Sequence, residues 1–279
     1  MLRLRAHLGR GASYALILLF CFLFALPVLS MLGTSLKTSS DALSTVSLFP
    51  APGRVFLGNF AQVMRDSSFE RNLWNSFVVS VASTFASVAV ASLAGYAVSR
   101  FKGWAFTAFI VLLLLLQMLP SMLVMVPIFL IYKGLGINNT LFGLIVCYAT
   151  SSLAFCIWML KGFFDSVPFE VEESAMIDGC SQFSSFVRII LPISTPGLAT
   201  VAIFSFVRAW NEYVMARILI QSDELKTINL GLQKFVQEFQ VDWSLLSAGA
   251  VIATVPTVLF LLFAQKYLVQ GLTAGAIKG

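Results

Sequence analysis

Long apolar stretches recur along this chain, and they constrain its fold more than any other feature of the sequence. Each is about as long as the roughly 20 residues that a helix needs to cross about 30 Å of hydrocarbon. There are six of them: Tyr14 to Leu32, Leu73 to Val98, Ala105 to Ile131, Leu141 to Leu160, Leu198 to Ile220 and Leu245 to Tyr267. The sequence therefore predicts an all-α polytopic membrane protein with six transmembrane helices, in a single domain over residues 1–279.

Composition agrees with a lipid environment for most of the chain. Charged residues make up 11% of the sequence and the mean hydropathy is +0.89, whereas soluble domains are roughly one quarter charged. The net charge of +5 is typical of a bias that sets membrane topology, and we find no nucleic-acid site. The first stretch begins like a signal peptide, but its apolar run is longer than is usual for one, so we retain it as a span.

Basic residues indicate the orientation of the chain. An even number of spans places both termini on one side of the membrane. Arg3, Arg5 and Arg10 precede the first stretch, and Arg100 and Lys102 lie in the short turn after the second. The positive-inside rule assigns this side to the cytoplasm.

An acidic segment, residues 161–196, separates the fourth and fifth stretches. It contains Glu170, Glu172, Glu173 and Asp178. Each carboxylate would cost a few kcal/mol at the middle of a bilayer. The segment must therefore lie in water, and the orientation above makes it cytoplasmic.

The first part of this segment predicts a short helix. Pro168 suits a first helical turn, and the three glutamates that follow lie where the positive end of the helix dipole favours carboxylates. We expect the helix to run to about Asp178 and to end at Gly179. Its acids are expected to face outward.

A second helix is predicted after Ser181, which can cap it. Phe183, Phe186, Val187 and Ile190 recur at the i, i+3, i+4 and i+7 spacing of one helix face. This stripe is expected to pack against the inner ends of the spans. The residues alone leave two interpretations of the acidic helix open, a solvated loop or a surface that docks on a partner.

The run from Glu173 to Pro192 resembles the EAA motif of ABC importer permeases, whose form is E-A-A, three residues, G, nine residues and I-x-L-P. The matching positions are Glu173-Ser174-Ala175, Gly179, Ile189, Leu191 and Pro192. The Asp178-Gly179 pair resembles the pair found at this point in the sugar-importing branch of the family. Ser174 stands where alanine is usual.

The resemblance extends over essentially the whole chain. The further similar pieces are Gly136 with Asn139-Thr140, the run from Trp158 to Phe164, the run from Trp210 to Tyr213, and the tail from Gly271 to Gly279. In their order and spacing they resemble the maltose-type permease family of carbohydrate ABC importers.

This resemblance implies a set of partners. They are a second homologous permease that shares the translocation path, two cytosolic ATPase subunits, an extracytoplasmic sugar-binding protein, a carbohydrate substrate and membrane lipid, with no nucleic acid. It also implies a bacterial or archaeal cytoplasmic (inner) membrane. We find no Walker motif, catalytic group or metal-ligand spacing in the chain, so we expect no enzyme activity and no bound cofactor, with ATP and Mg used by the partner ATPases.

Residue by residue, the resemblance implies two contacts with the ATPase subunits. The docking residues would be Glu172, Glu173, Ser174, Ala175, Met176, Asp178 and Gly179, in which Glu173 meets a basic residue and Ala175, Met176 and Gly179 form the close-packed contact. The C-terminal tail, with Thr273, Gly275, Lys278 and Gly279, would reach between the two ATPase subunits.

The same resemblance places the loop from Gln221 to Ser244 outside the membrane. Its polar residues Asp223, Glu224 and Thr227 would contact the sugar-binding protein.

Charged and polar residues in the fifth stretch are candidates for the substrate pathway. Arg208 and Glu212 are four apart, so they share a face of a continuous helix and are expected to pair, either as a functional group or as a structural clamp. Trp210, Asn211 and Tyr213 lie beside them and offer chemistry suited to a sugar.

Two prolines interrupt the third stretch. Gln117 lies one turn before Pro120, and a bend there is plausible as a lining of the pathway. Pro127 is expected to make a packing kink.

Small residues follow one another in the second stretch. Ser80, Ser83, Thr84, Ser87 and Ser92 predict close helix packing rather than a ligand site. For the whole chain, an ion-coupled secondary transporter of small polar solutes is the alternative function, although it leaves the acidic helix unexplained.

Overall fold

Among the described residues, helices account for the regular structure, apart from one isolated β-bridge between Val236 and Val241. The computed structural model describes residues 2–236 and 241–276. Its α-helices are α1 Leu2–Ser35, α2 Ser39–Ser44, α3 Gly58–Met64, α4 Ser67–Arg100, α5 Trp104–Gln117, α6 Ser121–Gly134, α7 Leu141–Ser166, α8 Glu170–Ile177, α9 Gln182–Ser185, α10 Leu191–Ile193, α11 Thr195–Trp210, α12 Val214–Leu219, α13 Ile228–Gly231 and α14 Trp243–Ala276. The predicted all-α fold is confirmed.

Four helices among the described residues are long and apolar enough to cross a membrane. They are Ser13–Ser35, Ser67–Arg100, Leu141–Ser166 and Trp243–Phe263, and they coincide with the first, second, fourth and sixth predicted spans. A bent pair of helices adds a fifth candidate. The protein is thus a polytopic membrane protein, while the count of six spans and the single domain over residues 1–279 stay predictions.

The third predicted span is not one continuous helix. It divides into α5 and α6, each of 14 residues, which at 1.5 Å per residue is too short to cross about 30 Å of hydrocarbon alone. Pro120, which lacks an N–H donor and disfavours helical geometry in the residue before it, lies at the break. Pro127 lies inside α6 without ending it.

The fifth predicted span is also divided. A bend of 76° separates the helical segment Gln182–Ile193 from α11, and Pro196 lies in the first turn of α11. At its other end α11 stops at Trp210, and α12 begins at Val214. The expected continuous helix from Leu198 to Ile220 is therefore wrong.

The chain divides into two compact units, of which the first comprises Met1–Phe69 and Leu232–Thr254. In this unit the amide of Asn59, a buried residue, donates to the carbonyls of Ser35 and Lys37 at 2.8 and 2.7 Å. These bonds satisfy acceptors at the end of α1 that the helix leaves unpaired. The apolar side chains of α1 from Tyr14 to Phe24 are largely exposed.

The second unit comprises Glu70–Gly231 and Val255–Gly279. The serines of α4 pack against α7 as predicted, since Ser80, Ser83 and Ser87 are buried and the Ser87 hydroxyl donates to the carbonyl of Ala149 at 3.2 Å. A Cβ at Gly95 would lie 3.2 Å from the carbonyl oxygen of Ile157. Small residues thus let the two helix backbones approach closely.

A buried cluster at one end of α4 and α7 positions the acidic segment. Its members are Ala91, Tyr96, Cys156, Ile157, Leu160, Phe164, Val167, Phe186, Ile190 and Val201. The Phe186 ring lies 4.5 Å from the ring of Tyr96 between centroids. The segment that follows α8 is therefore anchored on the long helices by apolar contact, as expected.

Candidate functional site

The acidic helix α8 ends where the sequence predicts, but it begins at Glu170, two residues after Pro168, which was expected in its first turn. That turn contains Glu170, Glu172 and Glu173, as predicted. The end of α8 is a Schellman motif, because Gly179 N–H donates to the carbonyl of Met176 and Cys180 N–H donates to that of Ala175.

The geometry of this turn requires a glycine. Gly179 has φ +90°, in the region that glycine occupies without the steric cost of a Cβ. The helix therefore stops abruptly, and its exposed side chains project from a short, well-defined rod.

Two faces of α8 differ in their surroundings. Phe169, Glu173, Met176 and Ile177 share one face at the i, i+4, i+7 and i+8 spacing, and all four are exposed; we name them the outer face. Ile177 is 86% exposed. Glu172 and Ala175 are instead buried, so the expectation that Ala175 forms part of an exposed close-packed contact is wrong.

Glu172 does not belong to the exposed docking surface that was expected to include it. Its side chain is fully buried, the Tyr96 hydroxyl donates to Oε2 at 2.7 Å, and Arg100 Nε donates to Oε1. The expectation that all the acids face outward is thus wrong for this residue. The reason is that the inner face of α8 lies on the end of α4, where a cation and a hydroxyl are available.

The helix after Ser181 keeps its predicted cap but not its predicted stripe. The Ser181 hydroxyl accepts from Ser184 N–H at 3.2 Å. Phe186 is buried, whereas Phe183 is 67% exposed. A π-helical turn over Phe186–Ile190 adds a residue to the turn and changes the face on which later side chains lie.

Arg208 and Glu212 form no ion pair within 4.0 Å in the described part of the chain. They do not share a helix face, because α11 ends at Trp210, between them. Arg208 is exposed, while Glu212 Oε1 accepts the N–H of Met215 at 2.8 Å. Glu212 thus holds the first turn of α12 instead of pairing with the arginine.

The aromatic residues of this region are less available to a ligand than expected. Trp210 is 2% exposed, and its ring is stacked on Phe206 with 5.7 Å between centroids. Tyr213 packs against the buried cluster around α7 and α12. Asn211 is exposed, and its amide donates to the carbonyl of Val207 at 2.8 Å. Gln117 at the end of α5 is also exposed.

In the loop after α12, Asp223 and Glu224 are exposed as expected of residues that meet a partner, but Thr227 is buried. The Lys226 ammonium donates to Asp223 Oδ1 at 2.5 Å. This hydrogen bond, together with the charge of the lysine, lowers the pKa of that carboxyl below its usual value of 3.8. Glu224 Oε1 lies 3.9 Å from Arg71 Nη1.

The C-terminal residues with a predicted contact are only partly described. Thr273 and Gly275 lie in α14, and Lys278 and Gly279 lie outside the described residues. The predicted contact of this tail with ATPase subunits stays a prediction.

Sequence reasoning missed two arrangements. Tyr96 and Arg100, treated as parts of a span and of a topology signal, turn out to be the partners of Glu172. Asn139, which has φ +57°, accepts from the N–H groups of Gln221 and Ser222 at 2.9 and 3.0 Å. It ties the start of α7 to the end of α12, and its signal in the sequence was the pair Asn138-Asn139 directly before the helix cap Thr140.

Among the described residues, no group of three or more His, Cys, Asp or Glu side chains is placed to hold a metal ion.

The chain as a whole resembles known transport proteins. Residues 87–274 match the protein family described as "Binding-protein-dependent transport system inner membrane component". The chain belongs to this family.

Two relatives span most of this permease. The sulfoquinovosyl glycerol transport system permease protein SmoH of Agrobacterium fabrum is 34% identical over 255 residues, which are 91% of this chain and 88% of SmoH. The trehalose transport system permease protein SugB of Mycobacterium tuberculosis is 32% identical over 256 residues, 91% of this chain and 92% of SugB.

A solved structure shows the same fold. It is a chain from a bacterial ABC transporter involved in the import of the acidic polysaccharide alginate, with a TM-score of 0.82 and 19% identity, covering 94% of this permease and 96% of that chain. The family match and the two relatives confirm the predicted resemblance to ABC importer permeases, and the alternative of a secondary transporter is not supported. Permeases of this family are typically not enzymes, and partner subunits hydrolyse ATP.

Proposed function

We propose that this permease forms half of the translocation path of an ATP-driven carbohydrate importer and that the outer face of α8 docks on a cytosolic ATPase subunit. The observation that carries the docking proposal is the composition of this face. It presents Phe169, Met176 and Ile177 to solvent beside the carboxylate of Glu173.

A merely solvated acidic loop would not need exposed apolar side chains of this size. Phe169 is 46% exposed and Met176 37% exposed, and contiguous exposed apolar surface is typical of interaction sites. Glu173 supplies a charge that a basic partner residue can meet, which favours one orientation of docking. The abrupt end of α8 at Gly179 makes the helix a compact element for a cleft.

The orientation of the chain follows the same proposal. With both termini in the cytoplasm, the basic residues Arg100 and Lys102 lie on the cytoplasmic side together with α8. Asp223 and Glu224 then lie on the opposite side, where they are available to an extracytoplasmic binding protein.

A carbohydrate is the substrate class that we propose, because relatives with more than 30% identity over nine tenths of the chain carry names of sugar transporters. Asn211, Gln117 and Arg208 are exposed polar groups beside breaks in apolar helices. Amide and guanidinium groups donate hydrogen bonds that sugar hydroxyls accept. Trp210 is removed from this set because its ring is buried.

The proposed assembly contains two permeases, two ATPase subunits and one binding protein, with the C-terminal tail of this chain between the ATPases. ATP and Mg are bound by the ATPase subunits, and this chain binds no cofactor.

Replacement of Glu173 by Lys tests the docking proposal. The reversed charge on the outer face is expected to abolish co-purification of the ATPase subunits with the permease pair. Glu70→Lys is the matched control, because Glu70 is an exposed acid on another helix, and it is expected to leave co-purification intact. Unchanged co-purification in Glu173→Lys would show that the outer face is not the docking surface.

A further inference from the structure

A buried charge cluster lies directly behind the outer face of α8. The carboxylate of Glu172 accepts from the Tyr96 hydroxyl through one oxygen and from Arg100 Nε through the other. The Arg100 side chain is 7% exposed and that of Glu172 is fully buried. This burial is produced by the chain itself, so Glu172 offers no surface to a partner.

The cluster joins three helices at one point. Tyr96 and Arg100 lie four residues apart in the last turns of α4, and Glu172 lies in the first turn of α8. Arg100 Nη2 also donates to the carbonyl of Val167, the cap residue directly after α7, at 3.2 Å. The ends of α4 and α7 and the start of α8 therefore meet in the same cluster.

Apolar surroundings accompany the cluster on α8 and on α4. Ala175, one turn after Glu172 on the same face, is 5% exposed. The Tyr96 ring also meets Phe164 edge-on at 6.0 Å between centroids. The inner face of α8 is thus buried beyond Glu172, and the ring of the donor Tyr96 packs against α7.

A second polar link lies beside the first. Ser99 donates to Asp165 Oδ1 at 2.7 Å, and Lys161 pairs with Asp165 Oδ2 at 2.5 Å. Both partners of the lysine pair are partly exposed, at 32% and 40%, so this link is screened by solvent. Ser99 joins this link to the buried cluster, since its hydroxyl also accepts from Arg100 Nη1 at 3.3 Å, whereas the lysine pair lies at the exposed end and offers a comparison.

A buried ion pair differs from apolar packing in how it responds to displacement. Apolar contacts are non-directional and can slide, whereas separation of charges in a low-dielectric interior leaves each without its partner. Two donors at i and i+4 on α4 also restrict the direction in which the carboxylate can move.

We infer that Glu172, Arg100 and Tyr96 form a clamp that passes movement of α8 to α4, with Glu172 as a positioning residue behind the docking surface. The inference rests on the proposed function, because α8 moves only if an ATPase subunit holds its outer face. The adjacent residues Glu172 and Glu173 then have different functions. Glu173 meets the partner, and Glu172 ties the docked helix to the membrane helices.

Hydrogen exchange in the assembled complex tests the clamp. The permease, its second permease and the ATPase subunits are compared without nucleotide and with Mg-ATP and vanadate, and exchange is followed in α8 and in residues 94–100 of α4. In the unaltered complex both segments are expected to respond. In Glu172→Gln, α8 still responds, while the response of residues 94–100 falls roughly fivefold, as expected for a residue that couples two elements.

Three further variants make the result decisive. Tyr96→Phe keeps the ring and the ion pair, and is expected to reduce the α4 response about two- to threefold through loss of one hydrogen bond. The double variant Arg100→Glu with Glu172→Arg is expected to recover part of the response. Lys161→Gln, which removes only the exposed pair, is expected to leave it unchanged.

The clamp is overturned if residues 94–100 respond in Glu172→Gln as they do in the unaltered complex, or if they do not respond in the unaltered complex. Should Glu172→Gln fail to accumulate, an unchanged response in Tyr96→Phe overturns it equally. Failure of the proposed docking is distinguishable, because Glu173→Lys would then retain its ATPase subunits whatever the α4 response.

Discussion

The acidic segment around α8 and the break between α11 and α12 both place charged side chains beside long apolar helices, yet they hold those charges differently. Around α8, Glu172 is fully buried and bonded to Arg100, 72 residues earlier in the chain. At the break, Arg208 and Glu212 are only four residues apart and do not pair. A spacing of four residues is thus not sufficient for two charges to meet, although Lys161 and Asp165, also four apart, do pair in α7.

Helix continuity explains the difference. The i, i+4 rule applies only while both residues lie in one helix, and α11 ends at Trp210, between Arg208 and Glu212. In the acidic segment, α8 is continuous from Glu170 to Ile177, so Glu172 and Ala175 keep a common inner face. That face then finds its partners on another helix.

The largest expected effect comes from removing one member of the buried pair. Glu172→Ala leaves Arg100 buried without its counter-charge and is expected to lower the free energy of unfolding by about 3–5 kcal/mol. Arg208→Ala, at an exposed arginine that has no ion pair among the described residues, is expected to change it by less than about 0.5 kcal/mol. Detergent-induced unfolding of the purified permease measures both, and equal effects would erase the contrast between the two regions.

A smaller effect is expected at the end of α8. Gly179→Ala places a Cβ at φ +90°, which is expected to cost about 1–2 kcal/mol and to weaken retention of the ATPase subunits. Gly162→Ala, in the interior of α7 where a Cβ meets open space, is expected to stabilise the permease by up to about 1 kcal/mol. The same unfolding assay compares them, and a neutral Gly179→Ala would contradict the assigned role of this turn.

The break between α11 and α12 can be tested by a double-mutant cycle. Glu212→Ala removes the acceptor for Met215 N–H and is expected to cost about 1 kcal/mol, as loss of a helix cap does. Combined with Arg208→Ala, its effect is expected to be additive within about 0.5 kcal/mol. A larger coupling energy between the two substitutions would show that Arg208 and Glu212 interact, as their spacing in the sequence predicts.

The smallest effect is expected at the exposed pair of Asp223 and Lys226. Because the lysine lowers the carboxyl pKa in the folded state, the pair contributes above the usual pKa of 3.8 and is lost as pH falls through the lowered value. Lys226→Gln is expected to return the pKa of Asp223 toward 3.8. A pH titration of the Asp223 carboxyl signal measures it, and an unchanged pKa would show that the lysine is not its cause.

Much of the fold could be predicted because apolar length and helix signals act locally. The spans near α1, α4, α7 and α14 follow from runs of apolar residues. The start of α8 after Pro168 and its end at Gly179 follow from the chemistry of single residues. These features need no knowledge of which helices become neighbours.

The breaks in the third and fifth spans were harder to predict. Pro120 marked the first break, but hydropathy alone joined the residues on either side of it. The run from Trp210 to Tyr213 contains no proline or glycine that would stop a helix. There the chain ends its helix while Asn229 donates to the carbonyl of Trp210 at 2.7 Å, a contact that depends on a distant segment.

By itself the sequence determined a membrane protein of apolar helices, an acidic helix between two spans and a family resemblance that the comparisons confirm. Only the tertiary structure decided which acid is buried, which is exposed and which arginine is paired. The physical reason is that burial and pairing depend on what neighbouring helices bring to a given point. The last turns of α4 bring a guanidinium and a hydroxyl to Glu172. The residues of the outer face, in contrast, are exposed.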